Sequence, residues 1–221
     1  SMKNVGTNMS AALTLPIAGA GVGIMKVAKD YDSASVQMRN AMGLTAKQTK
    51  DLTKTGKEIY EKGYGESLEE VTNAITETRT NMRGLNEQDL KKATKDAMTL
   101  GKTFDADVNE VTRAGNSLMQ NYGLSSQQAF DMLGKGAQNG MNFSKEMFDN
   151  MSEYTISFKE AGFSANEMFS ILSNGSKKGY NLDRLNDTML EFKLQTEDSG
   201  KAYMDAMGQM DKNTQKVFKQ Y

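Results

Sequence analysis

The 221-residue sequence has no cysteine, no histidine, no tryptophan and a single proline. Without cysteine there is no disulfide, no thiolate metal ligand and no thiol nucleophile. Without histidine the commonest general base and the commonest zinc ligand are missing. Most hydrolytic chemistry is therefore closed, leaving only a carboxylate pair, a Ser–Lys pair or a phosphate loop to look for. Charge of one sign is also lacking: 27 Lys and Arg against 28 Asp and Glu leave a net charge of −1. A general nucleic-acid binder needs a cationic face to neutralise phosphates. No basic stripe stands out, so no specific nucleic-acid partner is expected.

Glycine and methionine are plentiful instead, at 20 and 17 residues. The methionines, together with the shortage of β-branched apolar residues, favour helix over strand. A hydrophobic fraction of 38% allows a core, but a lean one.

A short phrase recurs along the chain: Gly43-Leu44-Thr45, Gly84-Leu85-Asn86, Gly123-Leu124-Ser125 and Gly162-Phe163-Ser164, at spacings of 41, 39 and 39 residues. Each phrase predicts one helix ending and another beginning. Glycine closes a helix in the left-handed conformation, and Thr, Asn or Ser caps the next. Gln48, Asp89, Gln128 and Glu167 follow the caps by three residues and complete capping boxes, with the short Asp89 the weakest. The residue between stages a hydrophobic staple onto Leu90, Ala129 or Met168, and more weakly onto Thr49. A second glycine, at Gly63, Gly101, Gly140 and Gly179, is expected to punctuate each unit. Segments 104–142 and 143–181 align without a gap, Phe104 with Phe143 and Asn142 with Asn181 among the matches.

Apolar stripes at helical spacing agree. They comprise Leu68, Val71, Ile75 and Met82; Leu90, Ala93, Ala97, Leu100 and Phe104; Val108, Val111, Gly115, Leu118 and Tyr122; Met147, Met151, Tyr154 and Phe158; and Leu182, Leu185, Met189 and Phe192. No stretch alternates with period two. The expected fold is all-α: an array of about four helical hairpins of 39–41 residues, with an N-terminal apolar helix. Residues 1–42 form the Ala/Gly-rich segment and its helix, 43–200 the hairpin repeats, and 201–221 a C-terminal helix. Stacked hairpins share a continuous core that no single narrow stripe could bury, with methionine as flexible filler.

Candidate chemistry is thin. Asp105-Ala106-Asp107-Val108-Asn109 opens like a calcium loop, but Glu110 stands where glycine is needed and Asn116 where glutamate is needed. A helix cap at Asp107 with Glu110 at its third position fits better. Gly19-Ala20-Gly21-Val22-Gly23 fails the dinucleotide spacing at Ile24. Gly101-Lys102-Thr103 lacks the leading glycine of a phosphate loop, since Asp96 occupies it, and reads as an interhelix turn. Glu69/Glu70 and Asp105/Asp107 read as helix starts favoured by the dipole. No catalytic, cofactor or metal residues are assigned, and the chain is expected not to be an enzyme.

Residues 11–25 are uncharged and small, with Gly19 and Gly23 in a spacing suited to close helix contact. Pro16 interrupts the segment, which falls short of a bilayer span. It reads as a packing or oligomerising helix; membrane contact and a signal segment are the alternatives. Ser1 before Met2 reads as an expression remnant, and the uncapped Lys219-Gln220-Tyr221 as a cut through a longer protein.

In order, Leu13-Thr14-Leu15-Pro16-Ile17 with the Gly/Ala-rich run, Tyr31-Asp32-Ser33-Ala34-Ser35-Val36, Gly43-Leu44-Thr45 and the helical units to about Gly200 resemble the core region of phage tail tape measure proteins. That resemblance implies a structural protein in the lumen of a virion tail, made in the host cytoplasm. It would set tail length during assembly and leave ahead of DNA at genome ejection. The implied partners are the tail tube protein and tail assembly chaperones. Residues 11–25 offer self-association or host-membrane contact. A rival reading is a helical interaction scaffold or secreted effector unrelated to phage.

Overall fold

The computed structural model describes the backbone of residues 27–209 and the side chains of residues 33–198. Among the described residues there are nine α-helices and no strand. They are α1 (Val27–Met42), α2 (Ala46–Tyr60), α3 (Leu68–Asn81), α4 (Glu87–Phe104), α5 (Val108–Tyr122), α6 (Ser126–Gln138), α7 (Met147–Glu160), α8 (Ala165–Lys177) and α9 (Leu182–Gln209). The apolar segment 11–25 lies outside the described residues, and so does the chain beyond 209.

The recurrent phrases set the helix boundaries. Gly43, Gly84, Gly123 and Gly162 all have positive φ, between 62° and 91°. Thr45, Asn86, Ser125 and Ser164 each accept from the backbone N–H three residues on. At Thr45, Ser125 and Ser164 the cap's own backbone N–H donates in return to the Gln48, Gln128 or Glu167 side-chain oxygen and completes the box. At Asn86 the short Asp89 side chain instead accepts from the Asn86 amide at 2.7 Å. The terminating geometry is also shared. Leu44 and Phe163 donate to carbonyls five residues back, at Arg39 and Phe158, and so do Met141 and Tyr180, at Gly136 and Gly175. This six-to-one bond closes the last turn and turns the chain sharply out of the helix.

Gly101 departs from the expected pattern. It lies inside α4, so Gly101-Lys102-Thr103 is helical and not an interhelix turn. Asp105, with φ 54°, takes the left-handed cap instead, so Asp105 is a helix end and only Asp107 a helix start. Gly101 is nonetheless required there. The chain folds back over it, Ala106 N–H bonding to the Gly101 carbonyl, and a Cβ at Gly101 would sit 2.9 Å from the Ala106 carbonyl oxygen. Asp107 does cap α5, but by accepting from Asn109 N–H at 2.7 Å, two residues on, so no box with Glu110 forms.

The helices pack in two layers. Odd helices α1, α3, α5, α7 and α9 lie side by side in chain order; α2, α4, α6 and α8 form the second layer. Each hairpin spans the two layers, which is the arrangement of an α-solenoid. Two contiguous clusters fill the space between. One is centred on Met38, Ile59, Val71, Ile75 and Leu90, the other on Leu118, Phe130, Leu133, Phe148, Met151, Phe158 and Leu172. Leu85 and Val108 touch both.

The lean apolar content is offset in two ways. Glycine lets helices approach closely: a Cβ at Gly115 would lie 3.2 Å from the Phe130 ring, and one at Gly136 2.9 Å from the Phe169 ring. Buried threonines replace missing apolar volume. Thr53, Thr72, Thr78, Thr94 and Thr155 are fully inside, each donating its hydroxyl to the carbonyl four residues back. That bond removes the cost of burying a hydroxyl. Met38, Met82, Met141, Met147, Met151 and Met168 are fully buried, as filler should be.

The stripes on α3, α4, α5 and α7 face this core. The α9 stripe fades along its length: Leu182 is buried and Phe192 is exposed. Phe143 is exposed as well, although its aligned partner Phe104 is half-buried against Phe148. The backbone around 140–146 runs as a turn with Lys145 at positive φ, which takes Phe143 off the core. Helix α9 is twice as long as most of the others and passes through Gly200 without a break to Gln209.

Candidate functional site

The polar contacts between consecutive units form a ladder on the odd layer. Asn81 of α3 donates to Thr112 Oγ1 of α5 at 2.9 Å. Arg113 of α5 pairs with Asp149 of α7 at 2.8 Å, and Ser117 donates to the Ser152 carbonyl at 3.3 Å. From α7 to α9, Asn150 donates to Asp183 at 3.0 Å, Asn186 to Glu153 at 3.1 Å, and Lys193 to Glu160 at 2.6 Å. Tyr154, almost fully buried, also donates to Asp183. Burial and the adjacent Asp183 push the Tyr154 phenol well above its ordinary range, so it stays a donor. The partners lie 31 to 36 residues apart, a little less than one unit of sequence. The ladder fixes the register of each unit on the next. Sequence reasoning missed it; polar residues recurring in consecutive odd helices one unit apart were the available signal.

On the second layer Asp96 of α4 carries a carboxyl raised to about 6, chiefly by burial, with Lys92 and Lys95 opposing the rise and Asp131 of α6 adding to it. Asp131 is buried and accepts from Gln127 within its own helix at 2.9 Å. Lys95 lies over the Tyr64 ring, 5.8 Å from its centre. Lys91 pairs with Glu58, which holds that carboxylate below its ordinary value. These carboxylates are absorbed in packing and pairing. Among the described residues no group of three or more acidic side chains is placed to hold a metal ion. The calcium-loop resemblance dissolves in the same way: Asp105 is a helix end whose side chain pairs with Lys145 at 2.5 Å.

Two exposed grooves lie on the first and last of the described helices. At the first end a groove between α1 and α2 is lined by Ser35, Val36, Arg39, Ala46, Thr49 and Lys50, with Val36 56% exposed. At the other, α9 presents Asp187, Thr188, Glu191, Phe192 and Gln195, with Phe192 53% and Leu194 56% exposed. No described helix is long and apolar enough to cross a membrane. The arrangement can join like units in series and present contact surfaces.

The model of the family described as phage-related minor tail protein matches residues 54–220. No curated protein and no solved structure matches the chain. With most of its length inside the family match, the chain belongs to the phage-related minor tail proteins. Membership carries a structural role in a phage tail, among other tail components and associated with the virion. The reading as a scaffold unrelated to phage is thereby set aside.

Proposed function

We propose that this phage-related minor tail protein is a tape measure segment, a non-enzymatic ruler in the tail tube lumen. It sets tail length during assembly and leaves the tube at genome ejection. The observation that carries the reading is the repetition of one structural unit at near-constant length. Caps at Thr45, Asn86, Ser125 and Ser164 recur with the same geometry 39–41 residues apart. A chain built this way changes its length in whole units without disturbing the ends of neighbouring helices. The tail tube protein and tail assembly chaperones are its proposed partners. Residues 11–25 are proposed for self-association or host-membrane contact.

Deleting Gly123–Ala161 from the full gene tests the reading. The deletion joins the end of α5 to the turn phrase at Gly162, which supplies the equivalent left-handed glycine and cap. Tails measured by electron microscopy should shorten. A unit stacked as in this fold contributes about 10 Å, the spacing of packed helices. The same 39 residues as one continuous helix contribute about 58 Å, and fully extended roughly 130 Å. Viable phage with tails of unchanged length would overturn the ruler reading.

A further inference from the structure

We propose that the two ends of the stack are complementary and that a second copy of this chain docks head to tail on the first, the α9 face of one on the α1–α2 groove of the other.

Within the stack every odd helix except the first and last is covered on both sides by neighbours of the same kind. The third helix packs against both α1 and α2, and Val36, Arg39 and Lys50 around the groove between that pair stay exposed. On α9, Asp183, Asn186 and Lys193 face back to α7. The groove residues Asp187, Glu191 and Phe192 lie on the side turned away from α7.

The two faces match in chemistry. Each centres on one large apolar side chain more than half exposed, Val36 at one end and Phe192 at the other. The rim of the first is cationic, with Arg39 and Lys50; the rim of the second is anionic, with Asp187 and Glu191. Glu191 accepts from Gln195 on its own helix at 2.9 Å, which leaves its charge unneutralised. The surroundings reinforce the contrast. Residues 46–62 of α2 and its turn carry five lysines against three acids, whereas residues 183–198 of α9 carry five acids against two basic residues. Opposite rims steer the ends together and disfavour end-to-end pairing of like faces. Because the contact is heterologous, each added copy leaves one face of each kind free, so further copies can add in series.

The test needs no other protein: analytical ultracentrifugation of the full chain across a concentration series at low and high salt. Concentration-dependent association that weakens with salt is expected. Arg39→Glu with Lys50→Glu, or Asp187→Lys with Glu191→Lys, should each lower the association constant about tenfold or more, from two lost rim pairs and new repulsion. All four positions are exposed, so each double variant should keep its circular dichroism spectrum. Mixing the two double variants matches both contacts, the native α9 face of the first on the native groove of the second and the two reversed rims on each other, and should restore the association that neither shows alone. A chain that stays monomeric throughout overturns the proposal, as does association unmoved by both charge reversals, the result expected if residues 11–25 mediate it. Failure of the mixed variants to pair overturns it as well. None of these outcomes bears on tail length.

Discussion

Replacing Asp96 with asparagine is expected to stabilise the fold at pH 8 and to leave it nearly unchanged at pH 4. Burial raises the Asp96 carboxyl from 3.8 to about 6. The folded state therefore binds its proton more tightly than the unfolded chain does. Below 3.8 the group is neutral in both states and costs nothing. As pH rises through about 6 the folded protein must hold a carboxylate in a largely dry place, and stability falls. The upper bound follows from 2.2 pH units at 1.36 kcal/mol each, about 3 kcal/mol. Residual water contact lowers the expected gain from Asp96→Asn to about 1–2 kcal/mol above pH 7. Asparagine has the same shape, so packing is kept. Urea unfolding of both proteins, followed by circular dichroism in steps from pH 4 to pH 8, reads the difference directly. The carboxylates held low by partners, Glu58 beside Lys91, Asp105 beside Lys145 and Glu167 in its capping box, lose stabilisation as pH falls. They do so equally in both proteins and cancel. A stability gap that stays constant from pH 4 to pH 8, or a variant weaker than the parent at pH 8, would refute the reasoning.

Substitutions at three other positions separate the effects that shape the fold. A Cβ at Gly123 would meet nothing within 4 Å, so Gly123→Ala should cost about 1 kcal/mol from left-handed strain alone; Gly123→Asn should cost less, and equal urea midpoints for the two would count against that cause. Alanine normally gains about 1 kcal/mol over glycine inside a helix. Gly101→Ala should instead destabilise by about 1–2 kcal/mol, because its Cβ meets the Ala106 carbonyl, and a rise in thermal midpoint would disprove the contact. Tyr154→Phe removes the buried hydroxyl that donates to Asp183 and should cost about 1–2 kcal/mol in urea unfolding, whereas an unchanged midpoint would remove Tyr154 from the inter-unit ladder.

The all-helical class, the repeat and the positions of most turns were legible because they rest on bonds between residues three to five apart. Thr45 finds Gln48 and Ser164 finds Glu167 whatever the rest of the chain does. Gly43, Gly84, Gly123 and Gly162 take the left-handed conformation because a side chain there is penalised locally. Local pattern alone misplaced the end of α4, where Asp105 takes the left-handed cap and Gly101 supplies the space over which the chain returns. It also paired Phe104 with Phe143, though only the former reaches the core. The inter-unit ladder, the raised carboxyl of Asp96 and the opposed rims at Arg39 and Asp187 were decided by tertiary structure. Each depends on groups about a unit or more apart in sequence, brought together or left uncovered only when the hairpins stack. Sequence order fixes which helices form, whereas dielectric surroundings and exposure are properties of the packed array.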